Sequence, residues 1–333
     1  MHPTPDPVGD APSPTPAGAA LALGDRRPLV GVAAAVAAAA LWGGGTVATH
    51  WVLGLGIPAT AFTGIELTSS VVFLVIVCLI SGTTIPSPRR SWRAGWIGLL
   101  EPGAVYLIMN LGLAHTSATH ASLITALQPV LIVLFGWLAF RHAVPARLWI
   151  PMALVLLGTA TVITANGSAA GSTRFGDALV LLGTVVAAVY VLAASRVAAH
   201  LAPLALTLLQ QVFALLLVLP VVAVSLLADG IGPGPAHAAD WLYVPLIGIA
   251  TSALTFWLYL TALRHLSAGS AGQFLAVIPL VGFAGSVLVL GEPAGAQAFL
   301  GAAVVGGALV AVARLEHQQH QAEQEAEAAR AAR

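Results

Sequence analysis

With 333 residues, of which 58% are hydrophobic and only 8% charged, this chain has too few charges to cover the surface of a water-soluble protein. Soluble domains carry about 25% charged residues, and the mean hydropathy here is +0.92. The formal net charge is zero and lysine is absent from the sequence, so the composition offers no strongly basic surface for nucleic acid. These numbers predict an integral membrane protein.

The two ends of the chain read as polar tails. Residues 1–27 are rich in proline, alanine and glycine. They have no apolar period and lack the basic start and short apolar stretch of a secretion signal. We predict a disordered cytoplasmic tail there. Residues 315–333 are polar and rich in helix-forming residues, which predicts a cytoplasmic tail made of a fraying helix.

Between the tails, apolar runs follow one another almost without interruption. A helix needs about 20 apolar residues to cross the hydrocarbon layer, and in lipid a helix satisfies its own backbone hydrogen bonds. The predicted fold class is therefore an all-α integral membrane protein with ten transmembrane helices. They are expected at residues 28–51, 57–80, 94–115, 118–140, 147–165, 176–195, 201–227, 241–263, 268–290 and 294–313.

The arginines indicate the orientation of these ten helices. With a cytoplasmic N-terminus, Arg174 alone falls on the far side of the membrane. Basic residues concentrate on the cytoplasmic side of membrane proteins, so we expect both termini in the cytoplasm. The arginines on that side are Arg26, Arg27, Arg89, Arg90, Arg93, Arg141, Arg147, Arg196, Arg264 and Arg314.

The sequence also repeats itself after a shift of 150 residues. That shift places Gly98 on Gly248, His115 on His265 and Pro129 on Pro279. We predict two five-helix units, at residues 28–165 and 176–314. Because five is odd, the second unit must enter the membrane from the opposite side. Inverted repeats of this kind are typical of transporters that bind substrate near the bilayer midplane.

The residues that carry this repeat resemble a known family. Residues 112–140 (GLAHTSATHASLITALQPVLIVLFGWLAF) and residues 262–310, which include Gly291-Glu292-Pro293, are similar to the EamA repeat of the drug/metabolite transporter (DMT) superfamily. The Trp-Gly opening of residues 41–54 resembles that family's first helix. The resemblance implies two inverted EamA-like repeats and a multi-pass efflux protein for metabolites or drugs in the bacterial inner (plasma) membrane. The first copy departs from the pattern, since Arg141-His142 stands where the second has Gly291-Glu292.

Glu66 lies near the middle of the second predicted helix. The family usually places a basic residue there. An ionised carboxylate at this depth costs about 2.5 kcal/mol or more, so it must be paired, protonated or facing water. Aligning Pro58 with Pro203 places Glu66 opposite Gln211. We predict substrate binding and proton coupling by Glu66; the alternative is a protonated carboxyl that ties helices together.

Glu101 stands in the third predicted helix, directly before Pro102-Gly103. This Pro-Gly pair should weaken the helix, which is tolerated where protein or a cavity lies alongside. A carboxylate beside a broken turn suits a cation or an amine. Glu101 is therefore our second candidate for substrate binding and proton coupling. The alternative is a kink that only shapes helix packing.

Neutral polar and aromatic residues at similar depths extend this predicted cavity. Tyr106 and Asn110 share one helix face, as do Thr255 and Tyr259, and tryptophan rings can stack on a flat or cationic substrate. Interhelical hydrogen bonding is the alternative for each polar residue. The predicted substrate-binding set is Trp42, Glu66, Glu101, Tyr106, Asn110, Gln128, Gln211, Thr255, Trp257, Tyr259 and Gln273.

Other polar residues have simpler interpretations. Glu292 lies at a helix junction, where capping or a hinge role is favoured over substrate contact. His115, His120 and His265 lie at predicted helix ends, where hydration at the membrane interface explains them. We predict no catalytic residues, no metal and no cofactor.

The sequence favours a secondary transporter over other membrane functions. A membrane enzyme would need a nucleophile with a base or a metal site, and a channel more often shows rings of charge or a filter sequence. We expect export by alternating access of small metabolites, such as amino acids and organic amines, or of drugs. The expected partners are a small-molecule substrate and the lipid bilayer, with protons and oligomeric state left open. A channel or a non-transport membrane protein is the alternative.

Overall fold

The computed structural model describes residues 27–140, 146–165, 172–198, 201–266, 271–272 and 274–331, and every regular element in them is helical. The predicted N-terminal tail and Gln273 lie outside these residues, apart from Arg27. The first half of the chain contains α1 (Arg27–Gly54), α2 (Ala59–Ser81), α3 (Pro88–Gly95), α4 (Val105–Leu113), α5 (Ala118–Thr125), α6 (Gln128–Phe140) and α7 (Ala146–Ala165).

The second half has the same order of long and interrupted helices. It contains α8 (Arg174–Ala198), α9 (Pro203–Asp229), α10 (Asp240–Gly248), α11 (Thr255–His265), α12 (Val277–Leu288) and α13 (Ala296–Ala331). The last helix thus continues through most of the segment that we predicted as a C-terminal tail.

Seven helical stretches of the described chain are long and apolar enough to cross a membrane. They are Leu29–Gly54, Ala59–Ser81, Ser91–Leu113, Ala118–Leu138, Arg174–Ala194, Pro203–Ala228 and Asp240–His265. Three further apolar helices, Arg147–Thr161, Val277–Leu288 and Ala296–Ala311, are shorter. The all-helical membrane fold is therefore confirmed, whereas the count of ten spans stays a prediction.

Two of the long stretches are interrupted at corresponding places. Between α3 and α4, a 3₁₀ turn (Trp96–Leu99) is followed by a π-helical turn (Leu100–Ala104), in which Glu101 leaves the helical conformation with φ −141° and ψ 126°. This is the break that the Pro-Gly pair predicted. Between α10 and α11, a π-helical turn covers Ile249–Leu254, about 150 residues later.

The two halves of the chain pack into each other. α1 lies against α11 and α12 of the second half, and α8 lies against α4 and α6 of the first half. α2 packs on α9 and α10, and α7 packs on α13. Each half therefore supplies helices to the core of the other, and the middle of the bundle is built by both.

Glycines allow the two interruptions to approach their neighbours. A Cβ on Gly98 would lie 2.1 Å from the carbonyl oxygen of Gln210 in α9, and a Cβ on Gly248 would lie 2.6 Å from Cα of Glu66 in α2. Only a residue without a side chain fits at such distances, and close approach through small residues is how membrane helices associate. These contacts bring both interrupted helices to the centre.

Candidate functional site

A cavity lies between the two halves, beside both interruptions. The volume that the centre of a water molecule can occupy in this cavity is about 100 Å³. Because about 10–15 Å³ suffices for one water, it accommodates several waters or a small solute. The described lining comprises Trp42, Gly45, Thr46 and Thr49 of α1, Glu66, Glu101, Val105, Tyr106, Met109, Asn110, Leu113, Thr125, Gln128, Thr184, Ala187, Thr251 and Ile278.

Glu66 is fixed in this cavity by hydrogen bonds from both halves. The carboxyl is 2% exposed. Its Oε1 lies 2.6 Å from the Thr251 hydroxyl in the second half, and its Oε2 accepts a bond of 3.1 Å from the Asn110 amide in the first half. The same amide donates to the Thr63 hydroxyl. A buried acid needs such partners, so this geometry holds Glu66 in one orientation.

Glu101 lies in the same cavity with a different environment. It is 5% exposed, and its Oε2 has no hydrogen-bond partner among the described protein atoms. The interrupted backbone around Pro102 turns this carboxyl toward the cavity instead of leaving it along a regular helix. Burying a carboxyl oxygen without a hydrogen-bond partner costs free energy. Water or a ligand in the cavity can supply the missing hydrogen bond.

An aromatic group forms one wall of the site. Trp42 Nε1 donates a 3.2 Å hydrogen bond to the Tyr106 hydroxyl, and that hydroxyl donates a 2.7 Å bond to the carbonyl oxygen of Thr251. The Trp42 ring lies 5.3 Å from Phe256 and 5.2 Å from Tyr259 between centroids. This wall is apolar, with oriented polar tips at its edge.

Six predicted residues line the cavity, and the other described ones lie elsewhere. Trp42, Glu66, Glu101, Tyr106, Asn110 and Gln128 are in the lining. The hydroxyl of Thr255 donates to the carbonyl oxygen of Ala250 in the preceding π-helical turn, and Tyr259 is fully buried behind Trp42. Trp257 borders a different opening, next to Ser81 and Arg264. Substrate binding by any of these residues remains a prediction.

Gln211 requires a correction of register. The glycine contacts pair Glu66 with Gly248 and Gln210 with Gly98, so Gln210 and not Gln211 is the counterpart of Glu66. The alignment on Pro58 and Pro203 was one residue off, because helix starts do not fix the depth of a helix in the bundle. Gln211 is fully buried and accepts a 3.0 Å hydrogen bond from Ser252.

Sequence reasoning missed the hydroxyl groups of the site. Thr46, Thr49, Thr125, Thr184 and Thr251 all line the cavity. Single threonines in apolar helices give little signal, since most bond to their own backbone. Thr251 carried a usable signal, because the shift of 150 residues places it on Glu101.

The ionisable groups in the described lining of the cavity are acidic and not basic. Its described lining contains two carboxyl groups and the Tyr106 phenol, and no arginine, lysine or histidine belongs to that lining. Among the described residues, no cluster of three or more histidine, cysteine, aspartate or glutamate side chains has the arrangement of a metal site. The arrangement is suited to neutral or positively charged groups, which carboxylates and aromatic faces attract.

A second polar cluster joins the halves at one end of the bundle. Both carboxyl oxygens of Glu292 accept backbone bonds at the start of α5, from Ala118 at 2.8 Å and Thr119 at 2.9 Å. His50 of α1 lies 3.6 Å from the same carboxyl. The predicted capping role of Glu292 is confirmed, and the capped helix belongs to the other half of the chain.

His120 lies near this cluster and contradicts its predicted environment. It is 2% exposed, and its Nδ1 lies 3.3 Å from the carboxyl of Asp177 in α8. Interfacial hydration therefore does not explain His120. The Asp177 carboxyl also accepts a 2.5 Å bond from the Thr116 hydroxyl. Sequence position alone indicated a helix end, and the packing of α8 across it buries the ring.

The fold and the site together define the class of protein: an all-helical, multi-pass membrane protein with a polar cavity between two repeats. The EamA-like transporter family matches residues 29–164 and again residues 174–314. The chain belongs to this family, in the drug/metabolite transporter superfamily. The resemblance seen in the sequence is thereby confirmed.

The individual proteins that the chain resembles share only a small part of its sequence. Over 205 residues the chain is 26% identical to the "Uncharacterized transporter YetK" of Bacillus subtilis (strain 168), and that alignment covers 60% of this chain and 62% of YetK. The chain thus matches somewhat less than two thirds of that relative's length. A solved crystal structure of a protein, 18% identical, covers 89% of this chain and 99% of its own with a TM-score of 0.61. At this identity the likeness shows the fold alone.

Proposed function

We propose that this protein is a secondary transporter that exports small amines or amino acids across the bacterial inner membrane by alternating access. One observation carries the proposal: two buried carboxyls, Glu66 and Glu101, face one cavity that both repeats enclose. Inverted repeats around a midplane site are the architecture of alternating access. The two acids favour a substrate that brings a positive charge.

Coupling to protons extends this proposal. An intramembrane carboxyl that exchanges between a proton and a cationic substrate links the two fluxes, because a protonated carboxyl is neutral and no longer pairs with the cation. Glu66 is the first carrier, since its hydrogen bonds join the repeats. Glu101 is the second. The concentration of arginines at one side of the predicted bundle supports cytoplasmic termini.

The proposal is tested by comparing metabolites released from cells that express the intact protein, the Glu66→Gln variant or nothing. We expect amines or amino acids to be enriched outside cells with the intact protein and not outside cells that express nothing, and the enrichment to depend on external pH. Glu66→Gln keeps the size and polarity of the side chain but cannot change its charge, so its transport should not respond to pH.

Two outcomes separate the parts of the proposal. Enrichment with a pH response that persists in Glu66→Gln would remove Glu66 from proton coupling and leave export in place. No enrichment, in cells whose membranes contain the protein, would overturn export of this solute class. Glu101→Gln, measured in parallel, decides whether the second carboxyl carries the coupling instead.

A further inference from the structure

Thr251 occupies a special position between the repeats. It lies in the π-helical turn Ile249–Leu254 of the second repeat, and the first repeat holds it at two atoms. Its hydroxyl lies 2.6 Å from Glu66 Oε1, and its carbonyl oxygen accepts a bond from Tyr106, which is itself bonded to Trp42. Three helices of the first repeat, α1, α2 and α4, therefore converge on this residue.

The Thr251 hydroxyl has one proton and two neighbouring acceptors. Besides Glu66 Oε1, the carbonyl oxygen of Ile247 lies 2.9 Å from Oγ1. A hydroxyl donates a single hydrogen and can accept others. If the hydroxyl donates to Ile247, the bond to Glu66 needs a proton on the carboxyl. If Glu66 is ionised, the hydroxyl must donate to it, and Ile247 loses this bond.

We propose that Thr251 is the positioning residue that passes the protonation state of Glu66 to the second repeat, an inference that rests on the proposed proton coupling. A protonated Glu66 donates to Thr251 Oγ1, which donates to the Ile247 carbonyl and closes the end of α10. Loss of the Glu66 proton into the cavity reverses the hydroxyl. It then donates to the carboxylate, in the stronger charge-assisted form, and releases the carbonyl at the junction of α10 and the π-helical turn.

The surroundings allow Glu66 to act through this contact. The titratable groups that share its cavity are Glu101 and Tyr106. On the other helices packed against α2, His50 of α1 is close to Glu292, and Asp229 and Asp240 lie at the ends of α9 and α10. The π-helical turn departs from the hydrogen-bond pattern of the regular helix, as is frequent at functional sites.

The test uses purified protein in vesicles with an imposed pH difference and an amine substrate identified by the release experiment. Thr251→Val keeps the β-branched shape and removes the hydroxyl, and Thr251→Ser keeps the hydroxyl. The matched control is Thr261→Val, because the Thr261 hydroxyl bonds one turn back to Trp257 in α11 and lies away from the cavity. Rates and KM are measured across pH for each variant.

We expect Thr251→Val to lose the pH dependence of the maximal rate. Thr251→Ser and Thr261→Val should keep the wild-type profile. A wild-type profile in Thr251→Val would overturn the role of Thr251 and leave proton coupling intact. A wild type without pH dependence would instead overturn proton coupling itself.

Folding of the variants decides the remaining case. Thr251→Ala removes the same hydroxyl with a smaller side chain and is used if valine is not accommodated. Failure of both hydroxyl-free variants to fold, with Thr251→Ser folded, would assign the hydroxyl to structure and overturn the proposal. Infrared spectra add a separate readout, since the protonated-carboxyl band that Glu66→Gln removes should shift in the hydroxyl-free variants.

Discussion

Glu66 and Glu101 share a cavity and differ in how the protein holds them. Glu66 has a partner at each oxygen, supplied by Thr251 and Asn110, whereas Glu101 Oε2 has no partner among the described protein atoms. Sequence position alone ranked the two acids by depth. Their hydrogen bonding depends on residues 44 and 185 positions away from Glu66, which no local pattern encodes.

This difference predicts opposite effects of removing each acid. Glu66→Met leaves one N–H of the Asn110 amide without its acceptor, which costs about 1–3 kcal/mol, whereas the Thr251 hydroxyl still has the Ile247 carbonyl oxygen. Glu101→Met removes a buried carboxyl oxygen that has no protein partner and should leave stability unchanged or raise it. Apparent melting temperatures, followed by tryptophan fluorescence in detergent, compare the two. A lower melting temperature for Glu101→Met than for Glu66→Met would contradict this assignment.

At the scale of elements, the two interrupted helices show what sequence reasoning reaches. The break at Glu101 was predicted because Pro102 and Gly103 weaken a regular helix. The π-helical turn at Ile249–Leu254 was missed because it contains neither proline nor glycine. Its signal was the internal repeat, which aligns it with the first break. The repeat therefore contained the information needed to predict this break, which composition did not.

The glycine beside each break gives a second prediction. Gly98→Ala places a methyl group 2.1 Å from the Gln210 carbonyl oxygen, so α9 must move. We expect a loss of about 1–3 kcal/mol, as for overpacked cores. Gly44→Ala is the matched control in α1, because no atom lies within 4 Å of its added Cβ. Alanine favours a helix over glycine by about 1 kcal/mol, so the control should be neutral or stabilising in the same melting assay.

At the scale of the whole molecule, the fold class and the family were predictable, and the site was predictable in part. Apolar length and the repeat define a helical membrane protein of EamA type without any knowledge of contacts. The division into inverted repeats with cytoplasmic termini remains a prediction. The cavity was harder to predict, because both repeats contribute to its lining and helix rotation decides which residues face it.

Alternating access requires the inter-repeat contacts at one end of the bundle to open and close. Thr119 of α5 and Ser286 of α12 belong to these contacts, with hydroxyl oxygens 2.8 Å apart. Cys78 is the single cysteine of the sequence. In a Cys78→Ala background, oxidation of the double variant T119C/S286C should cross-link the repeats, stop transport, and be reversed by a reductant. Each single cysteine variant is the control. Transport that continues through the oxidised form would show that this end does not open.

The cap that Glu292 places on α5 also has a consequence for how the protein is made. The backbone amides of Ala118 and Thr119 donate to the Glu292 carboxyl, which lies 174 and 173 residues later in the chain. During synthesis the first repeat therefore emerges with the start of α5 unfinished, and it stays so until the ribosome has nearly completed the second. Assembly of the native bundle is in this respect a late event, set by translation order and not by either repeat alone.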